Sequence, residues 1–171
     1  MAESVADVSP ARAEVVRDFA RSELFERTFS EGMELVEETA AYLDGEGRRD
    51  SKLLSRAGAL SYAGESMRLT TRLMQVASWL LVQRAIREGD MDPREACLAR
   101  YRIGAQAVCQ GEPSDSLDEM PMGLMDLLER SGRLYERVLH LDRRMFVDAE
   151  ASERSHPVRS QLDRLQAAFG R

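Results

Sequence analysis

Lysine is almost absent from this chain of 171 residues, and Lys52 is the only one. Nearly all of its 24 cationic side chains are therefore arginines, and 30 acidic side chains outnumber them, which gives a net charge of −6. Binding to phosphate backbones requires clustered, uncompensated cations. The charge balance therefore excludes nucleic acid as the main partner.

The chain also has only two cysteines, Cys97 and Cys109, and only two histidines, His140 and His156. Their spacing fits no zinc site. Di-iron bundles use two Glu-x-x-His sequences on bundle helices, whereas this chain has one, Glu153 to His156, next to Pro157 in the C-terminal segment. Neither histidine stands near a recognisable nucleophile. We therefore predict that the protein is not an enzyme and has no metal site and no cofactor. Two separated thiols also fit a reducing cytoplasm.

Long apolar runs are missing too. The longest apolar run of the central region covers residues 73–82, between Arg72 and Arg84. A membrane-spanning helix needs about 20 apolar residues, so no membrane insertion is expected. Aromatic residues make up only 6% of the chain and there are five prolines, a composition that favours helices over a β-sandwich.

Helical periodicity is what the chain does contain. Apolar residues recur at three- and four-residue spacing over residues 19–43, 52–88, 93–109 and 122–146. This pattern predicts an all-α fold, an antiparallel bundle of three to four helices. The helix over residues 52–88 contains no proline and would be about 55 Å long, so we expect it to be the central helix.

Turn and capping residues mark the predicted helix ends. Gly45 and Gly47 are expected to end the first bundle helix in the left-handed conformation. Asp50 or Ser51 is expected to cap the central helix, which would end near Gly89.

Apolar side chains nearly encircle the central helix. Leu73, Val76, Trp79 and Leu80 widen its apolar stripe beyond what one neighbouring helix can cover. We therefore predict that these four residues form a self-association surface and that the protein is a homodimer.

The remaining segments divide the chain. Residues 1–18 are weakly patterned and are predicted to be a mobile N-terminal arm, residues 19–146 the bundle domain, and residues 147–171 a flexible C-terminal tail. Within the bundle, residues 110–121 (QGEPSDSLDEMP) are predicted to be an acidic flexible loop.

Two segments offer candidate partner-binding residues. The predicted loop carries four acidic side chains, Glu112, Asp115, Asp118 and Glu119. The predicted tail carries a short apolar stripe at helical spacing, Leu162, Leu165 and Phe169, of the kind that folds on a partner.

Three phrases identify a family. They are LVEETAAYLDGEGR (35–48), LSYAGESMRLTTRLMQVASWLLVQRA (60–85) and GLMDLLERSGRLYERV (123–138). They resemble the bacterial regulator of CtrA degradation (RcdA) family over about residues 19–146. The resemblance implies a dimerising helical adaptor that concentrates at a cell pole and helps deliver CtrA and other cell-cycle proteins to the ClpXP protease. It also implies CpdR, which primes ClpX, and PopA as partners, and it supplies no catalytic residue.

Two other functions stay open on the residues alone. The acidic first bundle helix would suit a small-ligand or metal-binding bundle, and a purely structural scaffold at the cell pole would need no delivery activity.

Overall fold

The computed structural model of the protein describes residues 5, 8–114 and 117–148. Over these ranges the chain is helical or turn, with no strand, which confirms the all-α prediction. The predicted tail beyond residue 148 lies outside the described residues.

The first helix, α1 (Pro10–Ala20), is part of the packed domain. The hydroxyl of Ser9 caps it by accepting from the backbone N–H of Arg12 at 3.2 Å. Val16 and Ala20 are fully buried, and α1 contacts both the central helix and the segment after it. The expected boundary between arm and bundle at residue 18 therefore falls inside a packed helix.

Helix α2 (Glu23–Asp44) begins four residues later than expected because the chain turns at Arg21 and Ser22. Ser22 accepts from the N–H of Phe25 at 3.1 Å and so caps the new helix. The turn brings Phe19 against both Phe25 and Trp79, with ring centroids 6.0 and 5.6 Å apart. Aromatic packing thus fixes the angle between α1 and α2.

The connection after α2 differs from the sequence prediction. A short helix, α3 (Glu46–Asp50), and a 3₁₀ turn (Ser51–Leu53) occupy the expected loop and cap. Gly45 is not left-handed, with φ of −106°. Gly47 is required for another reason: a Cβ atom there would lie 2.5 Å from the ring of Tyr42.

The central helix, α4 (Arg56–Glu88), begins four residues later than predicted. The residue that caps it is Ser55, not Asp50 or Ser51. Ser55 Oγ accepts from Gly58 N at 3.0 Å. Gly89, with φ of +84°, ends the helix as predicted. A long central helix is therefore confirmed.

Three long helices form the bundle: α2, α4 and α7 (Met122–Arg143). Ion pairs of Glu38 with Arg130 and Glu31 with Arg137 show that α2 and α7 are antiparallel. Contacts of Arg72 with Leu128 and of Trp79 with Asp142 show that α4 and α7 are parallel. A π-helical turn (Arg144–Asp148) extends α7 towards α1.

The parallel arrangement requires a crossover, residues 90–121, and this crossover is not the single helix predicted over residues 93–109. It contains α5 (Pro93–Ala96), a 3₁₀ turn (Ala99–Tyr101) and α6 (Gln106–Cys109). Ala105, with φ of 55°, breaks the helical path. The side chains of Leu98, Ile103 and Cys109 are nevertheless buried, so an irregular strap covers the core here.

Candidate interaction surfaces

The four residues predicted for self-association lie inside the bundle. Leu73, Val76, Trp79 and Leu80 are exposed by 5%, 1%, 2% and 0%. They face α1, α2 and α7, because a central helix with three neighbours needs a wide apolar surface within one chain. The assignment is therefore corrected: these side chains are core residues and are not available to a second copy.

A different face of α4 is apolar and open to solvent. It carries Leu60, Met67, Met74 and Leu81, exposed by 77%, 70%, 63% and 52%. We call these four residues the α4 stripe. They are spaced seven residues apart, so they form one continuous line, as at the seam of a coiled coil.

The surface of α4 itself carries no exposed charge between positions 57 and 81. Glu65, Arg68 and Arg72 are the only charged residues between positions 57 and 81. Glu65 is 2% exposed, and Arg68 forms an ion pair with it at 3.4 Å with its side chain only 15% exposed. Arg72 is half-buried and donates to the carbonyls of Cys109 and Leu128 at 2.6 and 3.1 Å. All three point to the crossover, and burial lowers the pKa of Arg72.

An apolar groove of about 230 Å³ runs beside the stripe, between α2 and α4. We call it the α2/α4 groove. Its lining residues are Val36, Thr39, Ala40, Leu43, Thr70, Leu73, Met74 and Ala77. Thr39 is 4% exposed, and its hydroxyl oxygen has no hydrogen-bond partner among the described residues. Met74 belongs to both the groove and the stripe.

Polar side chains hold the crossover on the opposite side of α4. Glu65 accepts from the backbone N–H and the hydroxyl of Ser114 at 2.9 and 2.8 Å. The side-chain oxygen of Gln75 accepts from Gly104 N at 3.0 Å, and Tyr135 donates to the carbonyl of Gly104 at 2.8 Å. The contacts of Glu65, together with those of Arg68 and Arg72, explain why α4 carries charged residues in its apolar centre.

Comparison with known proteins assigns this fold to a family. A family described as a protein of unknown function (DUF1465) matches residues 16–169. Among solved structures, RcdA from Caulobacter crescentus CB15 is similar to the chain with 66% sequence identity and a TM-score of 0.63. The match covers 77% of this chain and 98% of the RcdA chain. The chain belongs to the RcdA family. No protein of curated function matches it.

This membership confirms the resemblance that the three sequence phrases indicated. Family membership alone does not show which residues of this chain contact a partner. The candidate partner-binding residues must therefore be placed by the structure alone.

The predicted acidic loop is only partly free to bind. Glu112 and Asp118 are exposed, but the carbonyl of Glu112 accepts from Arg68. Glu119 accepts a hydrogen bond from the hydroxyl of Ser55 at 2.7 Å, and Ser55 is the residue that caps α4. The carboxylate of Glu119 is therefore already in contact with the start of α4. Asp115 lies outside the described residues, as do Leu162, Leu165 and Phe169 of the predicted tail.

A metal site and a membrane-spanning helix are both absent from the described residues. They contain no group of three or more His, Cys, Asp or Glu side chains that could hold a metal ion. None of the helices placed there has the length and apolar character of a membrane span.

Sequence reasoning missed the α4 stripe for an identifiable reason. Charged side chains ordinarily mark the solvent-facing side of a helix, but Glu65, Arg68 and Arg72 instead lie against the crossover. The seven-residue spacing of Leu60, Met67, Met74 and Leu81 was a signal that could have found the stripe.

Proposed function

We propose that this protein is a non-enzymatic adaptor that helps deliver cell-cycle regulators such as CtrA to the ClpXP protease. The observation that supports the proposal most strongly is 66% identity to RcdA over 98% of that solved chain. The proposed partners are ClpX primed by CpdR, PopA and the delivered substrates, and the proposed location is the cytoplasm near a cell pole.

The described surfaces suit such a role. An adaptor accelerates degradation by holding substrate and protease together, which raises their effective concentration. It therefore needs a rigid body with at least two separate contact surfaces. The α4 stripe and the α2/α4 groove lie on one side of the bundle, and the exposed acids Glu112 and Asp118 lie in the crossover.

Self-association through the α4 stripe is part of the proposal. The stripe is symmetric about the midpoint between Thr70 and Thr71. If two α4 helices cross antiparallel at that point, Met67 meets Met74 of the second copy, and Leu60 meets Leu81. The same patch then serves both subunits, as twofold symmetry requires.

Degradation of purified CtrA by ClpX, ClpP and CpdR, with and without this protein, tests the delivery role. The full-length chain should accelerate degradation. Removing residues 147–171 should impair assisted degradation while leaving helicity and melting temperature nearly unchanged, because every buried core side chain among the described residues lies at or before Phe146. Full activity of the shortened chain would show that the tail is not needed, and no effect of the full chain would contradict delivery itself.

A further inference from the structure

We propose that a cavity between α4 and α7 binds a small organic anion, a monocarboxylate that carries an apolar chain. The cavity has a volume of about 450 Å³ and opens to solvent, and this volume is typical of small-ligand sites. We call it the α4/α7 cavity. Arginines of α4 and apolar side chains of α7 line it. Such a ligand would add to the adaptor role, and its binding does not depend on delivery of any substrate.

Arg72 is the cation at one end of the α4/α7 cavity. Its Nε and Nη1 groups donate to the carbonyls of Cys109 and Leu128 at 2.6 and 3.1 Å, and these two bonds hold the guanidinium in place. A guanidinium has five N–H donors. Among the described residues no other acceptor and no ion-pair partner is in contact with it. Its remaining N–H groups are therefore available to a carboxylate in the cavity.

The charges nearby do not compensate Arg72. Glu65 is buried and lies 3.4 Å from Arg68, so these two side chains neutralise each other. Burial and then the charge of Arg68 lower the pKa of Arg72, while Glu65 and the exposed Glu136 act in the opposite direction more weakly. A ligand carboxylate would supply the missing negative charge, and carboxylates pair with the planar fork of arginine through two hydrogen bonds.

Apolar side chains form the other end of the cavity. Helices α4 and α7 are parallel, and Arg72 contacts α7 at Leu128. Met122 lies six residues before Leu128, which is about 9 Å along the helix, and Met125 lies between them. Met122 is 85% exposed, and methionine side chains adapt readily to an apolar ligand. A ligand that fits both ends therefore has a carboxylate at one end and an apolar chain at the other.

Two exposed acids at the cavity restrict the charge of the ligand. Asp126 and Glu129 line it, and each forms an ion pair with an arginine of the next turn, Arg130 at 3.0 Å and Arg133 at 2.6 Å. These carboxylates repel a multiply charged phosphate more strongly than a singly charged carboxylate. The cavity therefore favours a monoanion.

Octanoate is the probe that tests the proposal, with the full-length protein labelled by ¹³C at its methionine methyl groups. Met122 and Met125 line the cavity, whereas Met67 and Met74 lie on the α4 stripe. Signals of Met122 and Met125 should shift in a saturable way, with a Kd below about 1 mM, and those of Met67 and Met74 should not. No saturable shift of Met122 and Met125, or a shift of Met67 and Met74 in their place, would overturn the proposal.

Three further probes separate the carboxylate from the apolar chain. Octan-1-ol has the chain without the charge, acetate has the charge without the chain, and inorganic phosphate has a higher charge. Each should bind at least about tenfold more weakly than octanoate. Equal or tighter binding of octan-1-ol would show a purely apolar cavity, and equal or tighter binding of acetate or phosphate would show a simple anion site. Either result contradicts the proposal.

Two variants test the residues. Arg72→Gln removes the cation and should weaken octanoate binding at least about tenfold, with a thermal melt to show that the variant folds. Met122→Glu adds a negative charge at an exposed position and should weaken binding at least about threefold; it decides alone if Arg72→Gln does not fold. The matched control Met67→Glu, which is 70% exposed on another face of α4, should bind octanoate like the unaltered chain. Unchanged affinity in Met122→Glu, or in folded Arg72→Gln, would overturn the proposal.

Discussion

Single buried polar residues connect the irregular crossover to the bundle. The clearest case is Asp142, which is 2% exposed. It accepts from the indole N–H of Trp79 at 3.0 Å and from Arg102 Nη2 at 2.7 Å. The guanidinium of Arg102 also lies 4.4 Å from the ring centre of Phe146. One carboxylate thus joins α4, the crossover and the end of α7.

Replacing this carboxylate should be strongly destabilising. Asp142→Ala leaves Trp79 and a largely buried Arg102 without their acceptor, and we expect the free energy of unfolding to fall by about 3 kcal/mol. Urea denaturation followed by circular dichroism measures this fall. The neighbouring exposed variant Arg143→Ala is the control, with an expected change below about 0.5 kcal/mol. An equally small change for Asp142→Ala would show that the three contacts do not stabilise the fold.

At the scale of the elements, close approach between helices depends on particular glycines. A Cβ atom on Gly123, at the start of α7, would lie 2.6 Å from the ring of Tyr42. The ring is held in place because Tyr42 also packs on Gly47, and burial raises the pKa of its phenol to about 12. Gly64 on α4 differs, since its nearest neighbour would be Ser114 Oγ at 3.7 Å.

These two glycines should respond to alanine with opposite signs. Gly123→Ala should destabilise the protein by about 1–3 kcal/mol, because the rigid ring must move. Gly64→Ala should stabilise it by about 1 kcal/mol, because alanine is the better helix former and meets no obstacle. Thermal melts of both variants test the pair. Stabilisation by Gly123→Ala would show that α2 and α7 are less closely packed than described.

The sequence predicted the long helices well because their apolar spacing extends over many turns. The sequence-based predictions failed where contacts between residues distant in sequence decide the structure. The seven-residue spacing reveals a second apolar line that includes Met74, but spacing alone does not show that this line is exposed and that Leu80 is buried, since both are apolar at helical spacing. The break at Ala105 follows Gly104, but a single glycine inside a helical pattern does not by itself end a helix. The contacts of Gly104 with Gln75 and Tyr135 hold the irregular path here.

At the scale of the whole molecule, the α4 stripe is the surface that should set the oligomeric state. Met67→Glu places a charge in the middle of the stripe without entering the core, since Met67 is 70% exposed. We expect a folded protein whose self-association, measured by sedimentation equilibrium, is lost or weakened at least about tenfold. Leu80→Asp should instead prevent folding, because Leu80 is fully buried.

The control for this prediction is Met122→Glu, at a side chain that is 85% exposed outside the stripe. It should leave self-association unchanged. Weakening of the dimer by Met122→Glu but not by Met67→Glu would place the contact on another face.

An adaptor of the proposed kind acts by bridging substrate and protease. The most direct measurement is the rate of CtrA degradation by ClpXP and CpdR as the concentration of this protein is increased from well below to well above that of CtrA. A bridge should raise the rate and then lower it, because excess adaptor occupies substrate and protease separately. A rate that stays at its starting value throughout the titration would contradict the account, and a rise to a plateau with no decline would show activation without bridging.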